Sequence, residues 1–229
     1  MGDDAKMLAT LTNPEIVRQH HLPADWDVAA LLKAVGTMKP TAHALIDTGA
    51  LVTGYSNVQV AETLLTMLSE EFEGVVYLEP GGHKKIMLRS GARLDLLQCG
   101  LPKERRFSFF DQVHTTGMDI PQGASARAVL TLGKDLTFRD YAQGAYRMRG
   151  IGKGQCIVLF VIPEVNRLLT TESALGLGQN PAQVKTTLAA LPELDRQRAE
   201  LEAIASWLNL NSMKSERIQF ELWCFEITS

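Results

Sequence analysis

Residues Phe107 to Pro163 read FSFFDQVHTTGMDIPQGASARAVLTLGKDLTFRDYAQGAYRMRGIGKGQCIVLFVIP, and this stretch decides the fold. FSFF, RAVLTL and CIVLFVI are near-continuous apolar runs. A strand whose two faces are both covered needs that pattern, so all three are expected as interior strands of a parallel sheet. Thr137 has a side chain suited to cap a helix, and Thr137 to Met148 is expected to cross over between the last two runs. Strands alternating with helices imply right-handed crossovers.

Working outward, Asn13-Pro14 has the chemistry of a helix start, a capping side chain followed by proline at the first helical position. Val28, Leu31, Leu32 and Val35 repeat at helical spacing and stop near Gly36. AHALID, ending at Asp47, is expected as a short buried strand. Ser56 or Asn57 caps a helix with the apolar stripe Val58, Val60, Leu64, Leu65 and Leu68. GVVYLE, KKIMLR and ARLDLL follow as short strands, the first two joined by Pro80-Gly81-Gly82-His83, which is hairpin chemistry. Beyond Val165, Thr170 to Asn180 reads as a loop holding Gly176 and Gly178. Pro181 to Leu191 and the series Leu194, Leu201, Ile204, Ala205 and Leu208 read as amphipathic helices, and Ile218 to Ile227 is apolar and aromatic. The expected fold is α/β: an open sheet with parallel core strands, a small hairpin insertion and a helical C-terminal appendage. Its expected segments are residues 1–40 (helical), 41–165 (the sheet-bearing lobe) and 166–229 (the appendage).

The 229 residues carry a net charge of -3 and are 45% hydrophobic, enough for one sizeable core and no global attraction to polyanions. A local basic face would draw on Lys103 to Arg106 and on Arg139 to Lys153. Cys99, Cys156 and Cys224 lie far apart without metal-ligand spacing, which excludes a zinc framework and a disulfide scaffold. Cys156 and Cys224, inside apolar runs, are expected as buried thiols. No apolar run approaches the length of a membrane span and no secretory leader opens the chain, so an intracellular protein, cytoplasmic or nuclear, is expected.

Three groups of residues carry candidate chemistry. Gln143, Arg147 and Arg149 lie on or after the crossover helix, and a guanidinium offers a planar, permanently charged fork for phosphate. The second group, Thr115, Thr116, Gly117 and Asp119 in QVHTTGMDI, forms a polar loop after a strand, where hydroxyls and close backbone approach suit phosphate or ribose. His114 sits in the same loop without a partner at a known spacing. The third is GIGKGQ, Gly150 to Gln155, which lacks the GK[ST]-to-helix order of a phosphate loop. It reads as a helix-to-strand turn from which Lys153 reaches phosphate. Asp47 in LIDTGAL has the triplet of aspartic proteases but no second aspartate loop, so that chemistry is excluded.

The order of strand, loop, strand, arginine-bearing helix, glycine turn and strand resembles the C-terminal RecA-like lobe of superfamily 2 helicases. There the helix reads Gln-x-x-Gly-Arg-x-x-Arg; Gln143 and Arg147 fit, whereas the second arginine is displaced from position 150 to Arg149. More widely, LIDTGALVTGYSNVQVAETLL, FFDQVHTTGMDI and the run from Arg127 to Gln155 resemble one region of a family of very large eukaryotic proteins bearing the name ubiquitinyl hydrolase. The resemblance implies a transition-state role for Arg147, an auxiliary one for Arg149 and γ-phosphate sensing by Gln143. It implies a nucleotide or coupling loop from Thr115 to Asp119. It also implies a larger protein whose upstream RecA-like lobe supplies the ATP and Mg²⁺ sites, so that this chain alone holds no cofactor and is inactive. A nucleic acid or a protein is the implied substrate, with no membrane partner. The family name implies a ubiquitin-directed thiol hydrolase as an alternative, with Cys99 and His114 its only conceivable pair. A non-catalytic RecA-like scaffold is the third reading.

Overall fold

A computed structural model describes residues 3–113 and 119–228, and of residues 3, 4 and 221–228 the backbone only. Helix α1 (Asp3–Leu11) precedes strand β1 (Val17–His21), α2 (Val28–Thr37), β2 (Ala44–Ile46), α3 (Asn57–Met67) and β3 (Gly74–Leu78). Then come β4 (Lys84–Leu88), β5 (Arg93–Asp95), β6 (Arg106–Phe110), β7 (Arg127–Thr131), α4 (Phe138–Ala145) and β8 (Cys156–Val161). Helices α5 (Pro163–Leu177), α6 (Pro181–Ala189) and α7 (Glu193–Thr228) close the chain.

The eight strands form one sheet in the order β1-β8-β7-β2-β6-β3-β4-β5. From β1 across to β3 every pairing is parallel, while β4 and β5 extend the sheet antiparallel. The three long apolar runs are β6, β7 and β8, interior and parallel as their composition requires. Short β2 lies between β6 and β7 with all three residues buried. Crossovers leave this centre in opposite directions, α3 towards β3 and α4 towards β8, so right-handed connection places them on opposite faces. Helices α2 and α3 pack together on one side; α1, α4, α5 and α6 pack against α7.

The hairpin at 80–83 forms as expected, with Gly81 and Gly82 at φ 88° and 80°. Ser56 caps α3 through a reciprocal pairing with Gln59. The other end of α3 is closed from a distance: the Arg89 guanidinium donates to the carbonyls of Leu65, Leu68, Ser69 and Phe72 at 2.7–3.0 Å. These are carbonyls at and just beyond a helix terminus, where no intrahelical donor remains.

Two expectations fail, each for a local reason. Asn13-Pro14 opens no helix. The Asn13 side chain accepts from Glu15 N–H in a turn, and the chain enters β1, whose Val17 is buried against β8. The 1–40 segment therefore contributes the sheet's edge strand and is not purely helical. Thr170 to Asn180 is not a loop either. Pro163 at the first helical position starts α5, which passes through Gly176 and stops at Gly178 in the left-handed conformation (φ 62°). In addition, Pro192 and the flanking turn separate α6 from α7, after which the apolar 218–227 run continues the 36-residue α7.

Helix α4 meets the sheet at Gly144, where a Cβ would land on Thr48 Cγ2. The Thr48 hydroxyl donates to Thr131 O at 2.8 Å, which holds the methyl in place. Alanine raises helix propensity by about 1 kcal/mol, whereas forced repacking in a dense core costs about 1–3 kcal/mol. Gly144→Ala is accordingly expected to lower the urea midpoint; a raised midpoint would mean that helix propensity governs this contact.

Candidate functional site

The capping box of Thr137 and Asp140 fixes the start of α4. Its end is set by tightening: Arg147 N–H and Met148 N–H bond three residues back, to Gly144 O and Ala145 O, both at 3.0 Å. The chain thus leaves α-geometry before Met148, shorter than the Thr137–Met148 helix expected, and Arg149 sits in a turn instead of one α-step further round. Arg147 is 8% exposed and its Nε–H donates to Gln143 O at 3.3 Å. Burial first, and the like charge of Arg149 second, hold its pKa below the ordinary arginine value, with Asp119 acting the other way. Arg149 is exposed and its Nε–H lies 3.4 Å from Asp119 Oδ1.

Gln143, Arg147, Arg149 and Asp119 are therefore brought together. Lys153 stands at the exposed tip of the glycine turn between Gly152 (φ 73°) and Gly154 (φ 111°). That turn is ordered from within: Gly150 N–H donates to Gln155 Oε1 at 2.7 Å, and Gln155 Nε2 donates to Gly123 O at 2.8 Å. His114, Thr115, Thr116 and Gly117 lie outside the described residues. The loop that holds them departs from the carboxyl end of β6. Asp119, the first residue described after them, meets Arg149 and shares a cavity with Lys84, Asp95, Arg106 and Pro121.

At the carboxyl edge, the crevice where open parallel sheets usually take ligands measures about 550 Å³. It is lined by Asp135, Asp140 and Glu164 against a single Lys134, a set of charges that repels phosphate. The backbone donors of its Gly49 to Leu51 wall are engaged as well. Asp47, 2% exposed, accepts from the Thr131 hydroxyl at 2.6 Å and from Leu51 and Val52 N–H at 3.0 Å each; Gly49 N–H donates to Thr131 Oγ1. Sequence reasoning misses this network. Its signal is an aspartate ending a fully apolar strand, a residue that must find donors if it is buried.

Cys99 is half-buried and packs on the core edge, and Cys156 is half-buried at the start of β8, less enclosed than its apolar run implies. Among the described residues no group of His, Cys, Asp and Glu is placed to hold a metal ion, and no helix is long and apolar enough to cross a membrane. Comparisons of the chain with protein-family models, with curated proteins and with solved structures found no match.

Burial pushes the Asp47 carboxyl above the ordinary aspartate value, against the hydrogen bonds of Thr131, Val52 and Leu51. A folded state that holds its proton more tightly than the unfolded chain loses stability as pH rises through that raised pKa. Asp47→Asn keeps the shape but puts an amide N–H₂ opposite a donor. The stability gap between wild type and Asp47→Asn, measured in urea, is expected to shrink as pH is raised from the ordinary aspartate value towards neutrality. A gap that widens over that interval would show that the three donors outweigh burial.

Proposed function

We propose that this chain is a RecA-like lobe that presents Arg147 and Arg149 to the phosphates of a nucleotide held by a second lobe. The observation that carries the reading is the pair of guanidiniums at the tightened end of α4, one nearly buried, with Asp119 of the β6–β7 loop in contact with the other. An arginine whose side chain is fixed by packing loses little freedom when it meets an anion. Arg149, held by an exposed ion pair, can exchange Asp119 for phosphate, since such a pair contributes about 0–1 kcal/mol. Exchange would release Asp119 from its ion pair, which links nucleotide state to that side chain. The acidic crevice at the other edge supports the same choice of face.

A non-catalytic scaffold is the second reading. The observation favouring it is the glycine turn, in which Gln155 occupies the Gly150 N–H that a phosphate would otherwise use.

ATP turnover by the chain combined with a lobe carrying an intact Gly-Lys-Thr loop separates the two. Where such an arginine acts, it is worth about 10³–10⁵ in rate. Arg147→Lys, which keeps charge and stem but removes the fork, and Arg149→Ala, which alters an exposed side chain, are both expected to reduce turnover without changing the thermal midpoint by more than a degree or two. Turnover unchanged in both variants leaves the scaffold.

A further inference from the structure

We propose that the groove between α1, α4 and α7 docks an acidic protein segment bearing a large apolar anchor. The groove encloses about 730 Å³. Met7, Leu8, Phe138 and Tyr146 supply its apolar lining, and Leu8 is 42% exposed although it lies on a helix packed into the fold. Three guanidiniums, those of Arg139, Arg147 and Arg149, line it; no carboxylate lines it among the described residues, and Asp119 meets Arg149 from outside it at 3.4 Å. In a chain of net charge -3 that is a local reversal of sign. The polar residues of the α7 wall are already engaged: Asn209 donates to Ala205 O, and Ser212 Oγ donates to Leu208 O and accepts from Phe138 N–H. The exposed Arg139 offers a ligand its guanidinium, and an incoming carboxylate would compete with Asp119 for Arg149, a geometry that selects carboxylates.

Helix α4, with its eight residues, is about 12 Å long, the reach of about four residues of extended chain. That is room for one anchor flanked by acidic residues. The aliphatic part of the lining, Met7, Leu8 and Ala142, suits a leucine or phenylalanine side chain. A nucleic acid fits less well, because a long polyanion would also meet the rest of a negatively charged surface. The proposal goes beyond the nucleotide reading and does not require it, although a docked segment would cover Arg147 and Arg149.

The test is a fluorescence-anisotropy titration of the whole chain, without nucleotide, against the labelled hexapeptide Glu-Glu-Leu-Phe-Glu-Glu. The comparators are Glu-Glu-Gly-Ser-Glu-Glu and Lys-Lys-Leu-Phe-Lys-Lys. Saturable binding of the first peptide, at least tenfold tighter than either comparator and weakened by salt, is expected. Arg139→Glu reverses charge at an exposed position and Asn209→Trp fills the groove from an exposed helix face; each is expected to weaken binding tenfold or more. Slowed hydrogen exchange on peptide addition, confined to α1, α4 and the middle of α7, reads the same site in the unaltered chain. Equal binding of the Gly-Ser peptide would reduce the site to bare charge and overturn the proposal, as would no saturable binding or protection elsewhere. Since ATP takes no part in this titration, its failure would leave the nucleotide reading standing or falling on the turnover experiment alone.

Discussion

The buried carboxylate of Asp47 is the constraint on which the centre of this fold turns. It stands where β2 ends and the crossovers diverge, and it ties two strands and a loop together through Thr131, Leu51 and Val52. The same few atoms dictate the neighbouring small residues. Thr48 bonds the Thr131 carbonyl, Gly49 bonds its hydroxyl, and the backbones of Gly49 and Gly133 come so close that a Cβ on Gly133 would lie 2.6 Å from Gly49 O. Gly144 then lets α4 settle onto Thr48. A polar anchor, not apolar packing alone, thus sets how near the crossover helix approaches the sheet, and with it the position of the arginine turn.

The parallel core is legible because β6, β7 and β8 bury both faces and so lack polar alternation. The hairpin and the capped helices are legible because turn and cap chemistry is local. Strand β1 is not: Arg18 to His21 is polar and gains its place only by pairing with β8, a contact 140 residues distant. Helix α5 hides behind Gly176 and Gly178, since glycine within a helix and glycine at its end look alike in sequence. At the candidate site, Gln143, Arg147, Arg149 and Asp119 stand out in the sequence and converge in the fold. Lys153 stands off on its turn, and Asp47 misleads because its triplet suggests one chemistry while its burial serves another. Arg89, closing α3 across some twenty residues of chain, gives no local sign at all.

The two ends of α4 carry opposite charge. Carboxylates collect at the carboxyl edge, two of them explained by the starts of α4 and α5, where the helix dipole and free N–H groups favour negative charge. Arginines collect at the far end of α4, where the same dipole favours cations. Helix polarity therefore matches the way charge is divided between the two ends of α4.

Helix α7 has a mechanical consequence. Its 36 residues form a rod of about 54 Å, and its middle is fastened to the sheet side of the β7–α4 connection, with Asn211 Nδ2 donating to Lys134 O and Leu136 O. A force applied near its exposed Ile218 and Phe220 acts on that attachment as on a lever arm. Because α4 begins two residues past Leu136, the same attachment joins the rod to the start of the helix whose far end leads into Arg147 and Arg149.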